Sequence, residues 1–250
     1  MTVLVPEAVD RDELDFNRTP AWCVELLIPH LGQPRTILDA GCGDGAIGKV
    51  LRRAFPKVVL LGIELHPGRA KWARENDYDV VQWDSFTNTM FSFGNNADLI
   101  ISNPPFGLAA LDFLRCAIAR VRPGGTVAFL LPTHWDHDCD ASCGDPLPAP
   151  KKSKPAPRYS EEQIERSKRE KFARQRFLDS IRLRDGREGY CKLAIVGGGP
   201  NPARPSFRGG SDSASDRYAW FMFGEKWAGQ PSRRLHAIPP AAESPQLRLI

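Results

Sequence analysis

Between Arg35 and Pro132 the chain alternates five short apolar runs with segments of helical spacing. The runs are "RTILDA", "KVVLLGIEL", "DVVQWD", "ADLIIS" and "GGTVAFLLP". They have no regular polar face to turn toward water, which is the mark of strands covered on both sides. Between them, "GAIGKVLRRAF" sets Ile47, Val50, Leu51 and Ala54 at i, i+3, i+4 and i+7, the stripe of an amphipathic helix. "PGRAKWARENDY" and "LAALDFLRCAIARV" read as two more helices. "TPAWCVELLIPHL" reads as a short helix ahead of the first strand, started at Thr19-Pro20. Short connections between such elements leave one fold class, α/β, with an open, mostly parallel sheet and helices on both faces. Two later runs, "CKLAIVGG" and "RYAWFMFGEKW", bring the expected sheet to seven strands.

A chain of 250 residues suits a single domain over its whole length. The alternation breaks at about 133–189, read as an insertion before the last two strands. Its first part, "GDPLPAPKKSKPAPR", has linker composition. Its second, "SEEQIERSKREKFARQRFLDSIRLR", predicts a helix. Ser160 and Gln163 sit at capping-box spacing, and Glu161 and Glu162 suit the positive helix end. Residues 151–187 hold 13 Lys and Arg against 6 Asp and Glu, whereas the whole chain is only +4. This basic segment is the candidate contact for nucleic-acid phosphates. Its plainer reading is a solvated helix of mixed charge.

No run approaches the roughly 18 apolar residues of a membrane span. The acidic start lacks a signal peptide's pattern. Six scattered Cys fit a reducing, cytoplasmic setting. His134, His137, Cys139 and Cys143 are of zinc-ligating types, but their spacing holds no C-x-x-C pair. The expectation is therefore no metal, with these residues flanking a substrate pocket.

"LDAGCGDG" joins the first strand to a helix, and Gly41, Gly43 and Gly45 let the backbone turn tightly against a ligand. Dinucleotide enzymes use a similar turn, and Gly41-x-Gly43-x-x-Ala46 is an alanine variant of theirs. Three acids argue for a different ligand. Asp39 precedes the first glycine and would repel pyrophosphate. Glu64 ends the second strand, where a carboxylate accepts ribose hydroxyls. Asp84 ends the third, within reach of an adenine amino group. A positively charged nucleoside without phosphates, S-adenosylmethionine (SAM), fits that rim.

"LDAGCGDG", Glu64, "WDSF" and "NPPF", in this order, resemble a class I SAM-dependent methyltransferase with an amino-methylation motif. The resemblance covers residues 15 to about 132 and implies a Rossmann-like fold. Asn103 lies just past the fourth strand's carboxyl end, the ligand edge of open α/β sheets. Pro104 and Pro105 cannot continue a strand ladder and stiffen the turn. The turn aims the Asn103 side-chain oxygen and the Pro104 carbonyl at one point, where an amino group would donate both hydrogens. Phe106 offers a flat face for stacking. On the motif alone, a tight turn with a core phenylalanine remains the alternative.

The family's targets are nitrogens conjugated to planar systems. Adenine N6 is the commonest, followed by cytosine N4, guanine N2 and glutamine amides. "DFNRTP" is similar to the N-terminal motif of phage and prophage adenine-specific DNA methyltransferases, in which the segment holding Phe16, Thr19 and Pro20 would close over the methionine end of SAM. "RYAWFMF" is similar to their last strand. The resemblance thus implies a DNA partner, with the adenine flipped out of the duplex. The alternatives are RNA, a protein glutamine, or a non-catalytic nucleic-acid-binding module.

Overall fold

A computed structural model describes residues 18–75, 77–87, 95–105, 107–136, 160–196 and 218–236. Phe16, Phe106, His137, Cys139, Cys143, the His134 side chain and the Lys/Pro linker lie outside the described residues.

The expected strands form at β1 (Thr36–Ala40), β2 (Val59–Glu64), β3 (Val80–Trp83), β4 (Ala97–Ser102) and β5 (Val121–Pro132). The two late runs form β6 (Tyr190–Val196) and β7 (Tyr218–Phe223). The sheet has eight strands rather than seven, because β8 (Arg233–His236) adds an edge parallel to β6. Its sequence, Arg-Arg-Leu-His, carries one apolar residue, too few for the periodicity of a strand to show. The order is β3-β2-β1-β4-β5-β7-β6-β8, and only β7 runs antiparallel to its neighbours.

The strand order reverses at β1, so the β1/β4 boundary is the switch point where such sheets open a crevice. The carboxyl ends of β1, β2, β3 and β4 share one edge, and the glycine turn, Glu64, Asp84 and the Asn-Pro-Pro loop lie at those ends, whereas the Thr19-Pro20 segment precedes β1.

The expected N-terminal helix is two pieces, α1 (Ala21–Glu25) and α2 (Ile28–Leu31), broken where Pro29 opens the second. The remaining helices are α3 (Ala46–Ala54), α4 (Pro67–Glu75), α5 (Leu108–Arg120) and α6 (Glu161–Ile181). Alternate strand residues feed two cores. Ile37, Leu99, Trp220 and Met222 pack with α1, α2, α3 and α4, while Leu38, Ile100, Phe221 and Phe223 pack with α5 and α6. The Trp220 indole donates to the Cys23 carbonyl at 2.9 Å, tying α1 to the centre of the sheet.

One polar cluster sits inside the second core. Lys192 of β6 is 1% exposed, and its ammonium donates to both carboxylate oxygens of Asp136 at 3.0 and 2.9 Å. Tyr190 adds its hydroxyl to the same carboxylate at 2.8 Å. Asp136 ends a 3-10 turn, Thr133–Asp136, that follows β5. The ion pair therefore pins the segment leaving β5 to β6, two strands away. Removing one partner strands a buried charge, so Asp136→Ala should lower stability by about 3–5 kcal/mol. Replacing the pair by Asp136→Leu with Lys192→Met should restore most of that loss. Urea unfolding measures both, and a loss below about 1 kcal/mol for the single variant would mean that the pair is solvated.

Candidate active site

The glycine turn is built by conformation. Gly41, Gly43 and Gly45 have φ of 73°, 56° and 89°, in the left-handed region where a side chain strains the backbone. Gly45 then caps α3, and the Ala46 amide donates to Asp44 at 3.2 Å.

Asp39 does not line the cavity beyond this turn. It is fully buried, and one of its oxygens accepts the Tyr78 hydroxyl at 2.6 Å. The other oxygen has no hydrogen-bond partner among the described residues. The Tyr78 oxygen in turn accepts the Gly48 amide of α3 at 3.1 Å. Only glycine fits at 48, since a Cβ there would lie 2.2 Å from the Tyr78 ring. Asp39 is thus placed to hold the turn from behind. Its distance from the cavity argues against the expected direct role toward a cationic ligand.

Glu64 does reach the cavity. One oxygen accepts the Gly43 amide at 2.9 Å, fixing the turn. The other accepts the His66 amide at 2.8 Å and two guanidinium N–H groups of Arg69, at 3.2 and 3.0 Å. Asp84 lies on the same rim, accepting the Ser85 amide at 2.6 Å. Phe86 and Phe113, with ring centroids 5.2 Å apart, form an apolar wall, and Phe113 also backs Gly41.

Asn103, Pro104 and Pro105 close the opposite wall. Asn103 Nδ2 donates to the Thr19 hydroxyl at 3.0 Å. Its neighbour Arg18 pairs with Asp44 of the glycine turn at 2.8 Å. The segment preceding α1 therefore touches both the turn and the Asn-Pro-Pro loop. Pro20 caps α1 outside the cavity.

Of the expected site residues, Thr19, Gly41, Gly43, Glu64, Asp84, Asn103, Pro104 and Pro105 line one cavity of about 290 Å³. That is near the lower end of small-molecule sites, roughly 300 Å³. Arg18, Asp44, Arg69, Tyr78 and Phe113 were not expected. Arg18 and Asp44 lie within quoted motifs, but their pairing joins segments 26 residues apart, and Tyr78 acts on Asp39 across 39 residues.

The donor set fits SAM. The cavity's cations, Arg18 and Arg69, are each paired with an acid, and Asp84 adds a further negative charge. Pyrophosphate would meet that acidic rim, whereas a sulfonium would not be repelled. Among the described residues no cluster of three or more His, Cys, Asp or Glu could hold a metal ion. Nor is any described helix long and apolar enough to cross a membrane.

Comparison with known proteins agrees with this geometry. Residues 22–136, somewhat less than half of the chain, match the family model of the methyltransferase small domain. Ribosomal RNA small subunit methyltransferase C of Pasteurella multocida is 34% identical over 110 residues, covering 41% of this chain and 30% of that protein. Malonyl-acyl-carrier-protein O-methyltransferase of Anoxybacillus flavithermus is 35% identical over 74 residues, 29% of each chain. The chain thus spans about 30% of the length of these curated relatives. Among solved structures, Atu636 of Agrobacterium tumefaciens, described as a predicted O-methyltransferase, superposes with a TM-score of 0.50 at 16% identity, covering 90% of this chain and 91% of that one. The fold is that of class I SAM-dependent methyltransferases, and SAM is the cofactor of that fold.

Asp39 gives the site a measurable pH signature. Burial raises its carboxyl from 3.8 to about 7; the Tyr78 hydrogen bond opposes the rise, and the Glu64 and Asp44 charges add to it. Between those values the folded chain holds a proton that the unfolded chain has released, so stability falls as pH rises. Asp39→Asn removes the titration. The stability of wild type relative to this variant should therefore drop from about pH 4 to about pH 7, by up to roughly 1.4 kcal/mol per unit. Urea unfolding of both proteins across that range tests it. Parallel curves would mean that Asp39 titrates as a solvated acid.

Proposed function

We propose that the chain methylates an exocyclic amino nitrogen of a nucleic-acid base, in RNA before DNA. The observation that carries this reading is that Asn103, Pro104 and Pro105 line the same cavity as Glu64 and the glycine turn. When bound, SAM would supply an electrophilic methyl group: the amine's lone pair forms the new N–C bond as the C–S pair returns to sulfur, releasing S-adenosylhomocysteine. Gly41, Gly43, Glu64 and Asp84 would hold that cofactor. The Asn103 side-chain oxygen and the Pro104 carbonyl, both acceptors, would take the amine's two hydrogens and match the positive charge developing on nitrogen. The proton left on the methylated nitrogen passes to water. Phe106 is assigned the stacking face.

The amine is favoured over other acceptors by the Asn-Pro-Pro loop. Similarity in the cofactor half alone does not select it, since the malonyl-acyl-carrier-protein relative is an O-methyltransferase. RNA is favoured because a relative sharing 41% of this chain is a ribosomal RNA methyltransferase. Adenine N6 in DNA is the second reading, supported by the "DFNRTP" and "RYAWFMF" resemblances.

Basic residues of α6 supply the polymer contact. Arg166–Glu170 and Arg169–Glu165 are ion pairs whose cations are exposed. Such pairs are weak in water, and phosphates can replace their carboxylates.

Labelled SAM offered separately to RNA, DNA and protein pools, followed by nucleoside analysis, tests the reading. Label found only on protein would reject it. Asn103→Ala should slow single-turnover transfer by about a hundred- to a thousandfold, roughly 2.7–4 kcal/mol, with SAM affinity near wild type. A normal rate would reduce the Asn-Pro-Pro motif to a turn. Glu64→Gln should weaken SAM binding by about tenfold or more in calorimetry, as expected for lost charge-assisted bonds. Unchanged affinity in the folded variant would remove Glu64 from the ribose site.

A further inference from the structure

We infer that Thr19 is a positioning residue for Asn103, setting which end of its amide faces the substrate; this rests on the amine-methylating reading above. An asparagine amide is nearly symmetric in shape, with a donor at one end and an acceptor at the other. Only the oxygen serves an amine. A flipped amide would turn its NH₂ on the substrate's own N–H groups, donor against donor. Something in the fold must set the choice.

In the structure a contact with Thr19 bears on that choice. Asn103 Nδ2 donates to Thr19 Oγ1 at 3.0 Å, across 84 residues of sequence. Engaging the NH₂ there turns the carbonyl end the other way. Thr19 is itself buried and sits between two tethered points. It is 5% exposed, preceded by Arg18 on Asp44 and followed by α1, whose Cys23 carbonyl is held by Trp220. A buried hydroxyl on a clamped backbone is a rigid reference for a neighbouring side chain.

The hydroxyl also connects the two halves of the cavity. Thr19 lines it beside the glycine turn. A hydroxyl has one proton. If the cofactor-occupied cavity offers an acceptor for that proton, the Thr19 oxygen can only accept from Asn103. The amide is then locked with its oxygen toward the substrate. Cofactor occupancy and catalytic orientation would thus be linked through a single proton's direction. The expected role of Thr19 as a cofactor contact is the simpler rival, and the two separate experimentally.

Thr19→Val keeps the shape and removes the hydroxyl. Single-turnover transfer to ribosomal RNA should fall by about ten- to a hundredfold, as for a misaligned catalytic group. SAM affinity by calorimetry should change by less than about threefold, far short of a lost charge-assisted bond. Thr19→Ser, which keeps the hydroxyl, should restore most of the rate. In an Asn103→Ala background Thr19→Val should cost nothing more, because the side chain it orients is gone. Without substrate, the Asn103 side-chain ¹⁵N amide resonances, assigned by their loss in Asn103→Ala, should move toward solvent-exposed positions in Thr19→Val. Parallel loss of SAM binding and rate would make Thr19 a cofactor ligand and overturn the inference. So would unmoved amide resonances, or an additive rate loss in the double variant. Should wild type fail to label ribosomal RNA, the functional reading falls, and the calorimetry and amide spectrum still decide the role of Thr19.

Discussion

A buried phenol organises this molecule's cofactor side. Tyr78 donates to Asp39 at the end of β1 and accepts from the Gly48 amide in α3. Those two bonds fix the strand and the helix that flank the glycine turn, so the turn's shape is set from behind rather than by its ligand. Burial pushes the Tyr78 hydroxyl well above its ordinary range, with the Asp39 charge acting the same way, so it stays a donor. At Gly48 the Tyr78 ring occupies the space where a side chain would be, and at Gly62 the Cys42 sulfur and the same ring share it. Neither needs a left-handed conformation; both are glycines of close approach.

The substrate side is held by different means. The Lys192–Asp136 pair draws the segment after β5 across to β6 and seats Trp135 on Phe221, edge to face at 5.7 Å. Arg174 of α6 lies over the Trp135 ring, 5.9 Å from its centroid. Burial lowers the Arg174 pKa, and the Glu170 charge works against that shift. Glu170 itself lies against Gly107, the residue that caps α5, where a Cβ would be 3.2 Å from its carboxylate. Helix α6 is therefore packed against the loop that carries Asn103, although its sequence reads as a solvated, highly charged helix. Its buried apolar anchors among the described residues, Phe177 and Leu178, lie in its last turns with Ala173 and Ile181 packed beside them, and its polar anchors leave no periodic trace.

What could be read from the chain in advance follows from how far each interaction reaches. Strands β1, β2, β4 and β5 were visible because burial on both faces makes a local, contiguous apolar run. The glycine turn, Glu64, Asp84 and Asn103 were visible because each follows such a run, and the sheet's parallel order gathers those ends at one edge. Asp39 was misplaced because its position in the chain suggests the cavity, whereas its partner, 39 residues away, turns it inward. Tyr78 escaped notice for the same reason. Strand β8 escaped because an edge strand of Arg-Arg-Leu-His relies on backbone pairing with β6, not on side-chain pattern.

Glu64 carries a consequence beyond holding the turn. A carboxylate offers about four lone-pair positions. Here the Gly43 and His66 amides and two N–H groups of Arg69 already point at it. On the proposed reading a ribose diol reaching this side chain would meet a seat that is taken, and among the described residues the occupant on a flexible stem is the Arg69 guanidinium. Filling the site is therefore an exchange of one donor for another within the protein. The affinity measured for any nucleoside here is a difference between two sets of bonds. On the proposed reading the same rivalry would also work in reverse, with the returning arginine competing with a bound nucleoside for the carboxylate.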